Sequence, residues 1–264
     1  LKLQADALGI TAWRGPGDGD LRYLWAKTDG ERVLLTLITG EVDSPAAREL
    51  GPWALTLAEV AGVAHSVQSE TGNAIRGDAP RALAGAQSLT IHLEGLEPFE
   101  VGPLGFLQPN PVVAARAYRD LVDDREGALA LDLYAGAGST TPLLRRRFTG
   151  VEACEAYPES ARALGIEAAR TEDFLRAWID RGEARPDLVL ANPPRGGMGP
   201  EVCAALRELA APRVHLMSCN AQTLAADLER LAPDYELEGL RGYDTLPQTP
   251  HLELVAFLRR RSPL

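Results

Sequence analysis

The chain has 264 residues, 45 % hydrophobic and 24 % charged, enough for one large domain or a medium one beside a small one. Its net charge of −10 is shared by both halves and argues against an autonomous high-affinity nucleic-acid binder, leaving Arg145-Arg146-Arg147 and Arg259-Arg260-Arg261 as local basic patches or solvated element ends. No apolar stretch has the length of a membrane span and no signal peptide is visible, while three cysteines without C-x-x-C spacing or a histidine cluster argue against a disulfide framework or a metal centre, so a cytoplasmic protein is expected.

Residues 1–101 read as a smaller β-rich α+β domain. Strands are expected at 21–26 and 32–38 around a Thr28-Asp29-Gly30 turn, a helix over 53–63, a strand at 64–68, and a closing hairpin from 88–93 and 97–101. Residues 102–264 alternate helices with short apolar strands. Helix 111–122 has Asn110 as N-cap and Pro111 in its first turn. Strand 129–134, helix 139–147, strand 150–155, helix 158–164, strand 187–191, helix 199–210, strand 213–217 and helix 221–231 follow, then a hairpin from 236–242 and 252–259. The alternation predicts a doubly wound parallel sheet with an antiparallel terminal hairpin at one edge.

In such sheets ligands lie beyond the carboxyl ends of the strands. Leu131-Asp132-Leu133-Tyr134-Ala135-Gly136-Ala137-Gly138 is a strand running into a Gly-x-Gly turn, where glycine permits positive φ and close approach of a ligand. The third glycine of a dinucleotide fingerprint is missing, which favours a single nucleoside. Glu155, at the end of the second strand, is placed to accept both ribose hydroxyls, with Glu152 as the competing carboxylate. The segment resembles class I S-adenosylmethionine methyltransferases, which implies a Rossmann-like fold for this half. The plain alternative is a tight strand–helix turn.

Two more strand ends carry polar groups. Asn192-Pro193-Pro194-Arg195 holds an amide on a segment stiffened by two prolines, and Ser218-Cys219-Asn220 presents a thiol beside a hydroxyl and an amide. Glu253, in His251-Leu252-Glu253, offers a carboxylate as acid/base partner for that thiol. Taken alone, Cys219 reads as a small buried apolar residue, as Cys154 and Cys203 do.

Together these segments resemble the 5-methyluridine RNA methyltransferases. Phe106-Leu107-Gln108-Pro109-Asn110 is similar to that family's F-x-Q-x-N, Asn192-Pro193-Pro194-Arg195 to D-P-P-R, and Ser218-Cys219-Asn220-Ala221-Gln222-Thr223-Leu224 to S-C-N-P-x-T-L. Asp244-Thr245-Leu246-Pro247-Gln248-Thr249 is similar to D-x-F-P-x-T, His251-Leu252-Glu253 to H-V-E, and Gly19-Asp20-Leu21-Arg22 to G-x-L-R. Asn192 stands for the usual aspartate, Ala221 for a proline and Ala226 for an arginine. The family's oligonucleotide-binding barrel and iron–sulfur cysteines are absent from this chain, which starts at Leu1 and leaves room for upstream sequence.

The resemblance implies Cys219 as nucleophile on carbon 6 of uracil and Glu253 as the base that removes the carbon 5 proton. S-adenosyl-L-methionine is the expected donor, held by Gln108, Tyr134, Gly136, Gly138, Glu155, Asp173 and Asn192. Phe106, Asn192 and Arg195 are expected at the substrate, Phe106 either stacking on uracil or lining the pocket, and His251 as a scaffold for Glu253. No metal and no iron–sulfur cluster is expected. The partner is a structured tRNA or rRNA, contacted through residues 1–101 by a monomer. Methylation of another nucleobase, or a donor-binding RNA module without turnover, are the alternatives.

Overall fold

The computed structural model describes residues 1–72, 75–108, 110–249 and 252–262. They form two compact units: Leu1–Ile91 with Glu100–Leu107, and His92–Phe99 with Gln108–Leu264. The chain thus passes between units more than once over 92–108, where the sequence suggests a single boundary at 101/102.

In the first unit a short helix α1 (Lys2–Ala7) precedes strands β1 (Leu21–Thr28) and β2 (Val33–Thr39), which pair antiparallel around the expected turn. A π-helical turn (Ala46–Leu50) runs into α2 (Gly51–Ala54) and returns the chain to β3 (Val60–Val67), parallel to β2. Strand β4 (Arg81–Gly85) completes the order β1-β2-β3-β4. Ala5, Ile10, Leu50 and Ala54 close over Leu35, Leu37 and Val63 as one apolar cluster.

The helix expected over 53–63 is a correction. The helical residues lie earlier, and Val60–Val67, whose alanines and glycine favour no strand, is drawn into the sheet by its neighbours. Gly62 shows the packing: a Cβ there would sit 2.0 Å from the Ala86 carbonyl oxygen, a contact only glycine permits. The hairpin of 88–93 and 97–101 shrinks to β5 (Leu89–Ile91) and β6 (Phe99–Val101), a two-stranded sheet.

The second unit begins with α3 (Pro111–Val122), whose first turn is capped by Asn110 accepting from the Val113 N–H. It continues with β7 (Gly127–Leu133), α4 (Thr141–Arg145), β8 (Phe148–Cys154), α5 (Pro158–Leu164), α6 (Thr171–Asp180) and β9 (Leu188–Ala191). Then come α7 (Gly199–Leu209), β10 (Arg213–Ser218), α8 (Ala221–Leu231), β11 (Tyr235–Tyr243) and β12 (Glu253–Arg260). The six-stranded sheet has the order β11-β12-β10-β9-β7-β8. Strands β8, β7, β9 and β10 are parallel, and β12 pairs antiparallel with both β10 and β11.

Alternation along β10 assigns the faces. Val214 and Leu216 join Val202, Leu206, Leu224 and Leu231 of α7 and α8, whereas His215 contacts the Leu121 carbonyl of α3 through Nδ1 at 2.7 Å. Helices therefore cover both faces, as a doubly wound sheet requires. Such a sheet usually places a third strand outside the second. Here six residues, 165–170, join α5 directly to α6, which leaves β8 at the edge with Thr149 and Glu152 exposed. A charge on an edge strand discourages pairing with another chain.

Candidate functional site

The four parallel strands all point their carboxyl ends the same way, and the polar loops collect there. After β7, Tyr134 (φ 57°), Gly136 (φ 59°) and Gly138 (φ 87°) turn the chain sharply. Tyr134 is not a glycine, so its left-handed backbone costs energy, a type of strain that clusters at ligand sites. A Cβ on Gly138 would come within 2.5 Å of a Leu164 methyl, whereas nothing lies within 4 Å of one on Gly136, whose surroundings are open. Behind the turn, buried Asp132 accepts from the Thr140 and Thr141 hydroxyls at 2.9 and 2.7 Å, tying the strand to the start of α4. Burial pushes its carboxyl up to about 6, against the pull of the two hydroxyl bonds.

Glu155 lies one residue beyond β8. Its Oε2 accepts from the Gly136 N–H at 2.8 Å and its Oε1 from the Tyr157 N–H at 2.6 Å. Each carboxylate oxygen keeps a further lone pair, enough for two vicinal hydroxyls. Glu152 is exposed within β8. Asp173 is exposed in the first turn of α6. The residue of that turn which meets the loop is buried Thr171, hydrogen-bonded to the Tyr134 hydroxyl and 3.9 Å from the Cys154 sulfur. Thr171 escapes notice in the sequence because α6 itself goes unassigned there.

The next two loops behave as one piece. The Asn192 N–H donates to the Leu133 carbonyl at 3.3 Å, pinning the Asn-Pro-Pro segment to the end of β7. Asn220 caps α8 through Oδ1 and donates from Nδ2 to the Arg195 carbonyl at 3.3 Å, an oxygen that also accepts from the Thr223 hydroxyl at 3.1 Å. Buried Asp227 accepts from the Met198 and Gly199 N–H groups at 2.7 and 3.3 Å and pairs with Arg230 at 2.8 Å, fixing the turn after Arg195.

Strand register brings the thiol and the carboxylate together. Ser218 is opposite Leu254 in the β10–β12 ladder, so the next residue outward on each strand is Cys219 on one and Glu253 on the other. Glu253 is buried, and Gln108, also buried, donates Nε2–H to its Oε1 at 3.1 Å. Burial raises the Glu253 carboxyl above the usual carboxylate range, while the Gln108 bond and the Arg195 charge oppose this. Half-buried Cys219 is raised first by burial and then by the neighbouring Glu253 charge; the Arg195 guanidinium, hydrogen-bonded to the thiol, pulls it down.

Phe106 belongs to the first unit and is 45 % exposed. Pro109 and His251 lie outside the described residues. Among the described residues no group of three or more His, Cys, Asp or Glu side chains could hold a metal ion, and no helix is long and apolar enough to cross a membrane.

A sheet with four adjacent parallel strands covered on both faces, a Gly-x-Gly turn entered through left-handed Tyr134 and a carboxylate bound to that turn at the second strand define a class I S-adenosylmethionine-dependent methyltransferase. The family model for tRNA (uracil-5-)-methyltransferases matches residues 160–261. The 23S rRNA (uracil(747)-C(5))-methyltransferase RlmC of Edwardsiella ictaluri is 31 % identical over 261 residues, covering 92 % of this chain and 68 % of that protein. The RlmC of Salmonella paratyphi B is 32 % identical over 260 residues with the same shares. The crystal structure of Pyrococcus abyssi tRNA (uracil-54, C5)-methyltransferase in complex with S-adenosyl-L-homocysteine shares the fold with a TM-score of 0.75 at 23 % identity. It is matched over 97 % of this chain, which spans 64 % of the archaeal one. The chain belongs to the uracil-C5 RNA methyltransferase family.

Proposed function

We propose that this chain forms 5-methyluridine in a structured tRNA or rRNA through a transient bond between Cys219 and carbon 6 of uracil, acting as a cytoplasmic monomer whose first unit, with exposed Phe106, contacts the RNA. The observation that carries this reading is the register of β10 and β12, which puts a thiol and a buried carboxylate side by side at the strand ends. The relatives' names, 23S rRNA and tRNA uracil-C5 methyltransferases, supply the substrate class.

Tyr134, Gly136, Gly138 and Glu155 fit a nucleoside donor: the backbone is open at Gly136, and the Glu155 carboxylate faces that opening with lone pairs to spare. When bound, S-adenosylmethionine supplies an electrophilic methyl group. Carbon 5 of uracil is too weak a nucleophile to take it unaided. Addition of the Cys219 thiolate to carbon 6 moves the electron pair of the 5,6 double bond onto the carbon 5–carbonyl system, as an enolate. Once carbon 5 carries the methyl group, Glu253 removes its remaining proton, the double bond re-forms and the thiolate leaves. The thiol must first be deprotonated, and Arg195 favours that form. Gln108, beyond its expected contact with the donor, positions Glu253. Asn192 gives the uracil edge an uncharged hydrogen-bonding partner.

RNA containing 5-fluorouridine cannot lose the carbon 5 substituent as a proton, so it is expected to leave a Cys219-linked adduct visible by denaturing electrophoresis and peptide mass mapping. Full activity in Cys219→Ala would overturn the mechanism. Nucleoside digestion and mass analysis of the methylated RNA should show 5-methyluridine; a methylated adenine or cytosine would overturn the assignment of the base.

A further inference from the structure

The far end of the same sheet holds a second concentration of chemistry. Arg185, Arg213, Arg259, Arg260 and Arg261, with Ser262, line one groove of about 330 Å³. Five guanidiniums share this groove in a chain whose net charge is −10. Glu238 pairs with both Arg213 and Arg259, and Glu236 with Arg259, so two carboxylates brace the wall. Arg261 donates Nε–H to the Ala232 carbonyl at 3.1 Å. Arg185 has no side-chain hydrogen bond or ion pair among the described residues; the Arg260 guanidinium hydrogen-bonds the Tyr235 hydroxyl, while its Nη1 is buried without an acceptor. A buried donor left unpaired costs about 1–3 kcal/mol, so this one nitrogen at the groove lacks an acceptor.

We propose that this groove is a binding site for phosphate groups, taken by the phosphodiester backbone of the RNA or by free phosphate. Planar guanidinium forks match phosphate oxygens two at a time, and two carboxylates against five arginines leave the site cationic. Its ligand is distinct from the methyl donor: β12 runs from Glu253 to Arg260, so the groove lies about 23 Å from the catalytic carboxylate at some 3.3 Å per residue. The proposal rests on the RNA reading only for the source of the phosphate.

The test uses the full chain and the variants Arg185→Glu and Arg260→Gln. Binding of a tRNA transcript and of a 23S rRNA fragment is measured by fluorescence anisotropy across a salt series, and inorganic pyrophosphate by calorimetry. RNA affinity should fall roughly tenfold in each variant, and the slope of log K against log salt should drop by about 0.9 for each phosphate that is no longer neutralised. Turnover at saturating RNA should be unchanged. Loss of pyrophosphate binding with RNA affinity intact supports the site with free phosphate as its occupant. Parental binding of both probes overturns it. In the unmutated protein, pyrophosphate should slow phenylglyoxal modification of Arg185 and Arg260, a readout that needs no variant to fold; equal rates count against the site. Because binding is read without turnover, an error about Cys219 leaves these outcomes unaffected.

Discussion

Cys219 and Glu253 impose opposing demands on one small volume. In the proposed mechanism the thiol ionises before it attacks, yet burial and the Glu253 charge both hold it protonated, leaving Arg195 as the group that favours the thiolate. Alkylation of Cys219 by iodoacetamide, followed by mass spectrometry against pH, separates these influences. Glu253→Gln removes a negative neighbour and should bring the reactive limb to lower pH, whereas Arg195→Met should move it higher. The opposite order would refute the electrostatic account. Glu253→Gln should also slow release of the methylated base, so covalent protein–RNA complex accumulates, with a rate loss of about 10²–10⁴-fold. Gln108→Leu deletes the bond that opposes protonation of Glu253. The acidic limb of kcat/KM should then shift to higher pH, while Gln108→Asn restores part of the parental profile. A profile that stays put would confine Gln108 to donor binding.

Individual elements add consequences that no single site residue shows. Asn220 ends the β10 loop, caps α8 and grips the Arg195 carbonyl, so one side chain joins the loops that follow β9 and β10. Replacing it with alanine should cost about 1 kcal/mol of stability through the lost cap. The fall in kcat/KM should exceed what the fraction unfolded explains, because Arg195 loses one of its two holds. A denaturant titration beside the kinetics distinguishes the effects. Helix α7 ends with Ala210 in the left-handed conformation (φ 63°), where a Cβ is unfavourable. Ala210→Gly should therefore raise stability by about 0.5–1 kcal/mol, read from the denaturation midpoint, without touching activity. The boundaries of α5 and α8 were legible in the sequence because Pro158 and Asn220 are local start signals. Helix α6 begins after Arg170, which makes no side-chain cap hydrogen bond, and the local pattern holds no comparable mark for it.

For the whole molecule, two buried groups pull the pH dependence of stability in opposite directions. His215 donates Nδ1–H to the Leu121 carbonyl, packs its ring edge-on against Phe257, and is pushed down to about 4 by burial. Its folded value is depressed, so its contribution is whole above the unfolded value of 6.5 and is lost as pH falls toward 4, a change of about 3 kcal/mol. Asp132 is raised to about 6, so its contribution is whole below the unfolded value of 3.8 and is lost as pH rises through 6, by a similar amount. Over pH 4–6 the two largely cancel. His215→Gln should uncover a stability that increases on acidification, and Asp132→Asn one that decreases, each read from denaturation midpoints across that window. Identical profiles in both variants would refute the compensation. The sequence by itself determined the alternation of strands and helices, the glycine turn after β7 and the chemistry waiting at each strand end, because hydrophobic period, caps and turn residues act over a few neighbours. Only the tertiary structure decided which of those ends meet. Gln108 reaches Glu253 across 145 residues, Asn220 holds Arg195, Thr171 meets Tyr134, and five arginines from three segments share one groove. Sheet order and register set those encounters, and both depend on how distant strands pack rather than on any local pattern.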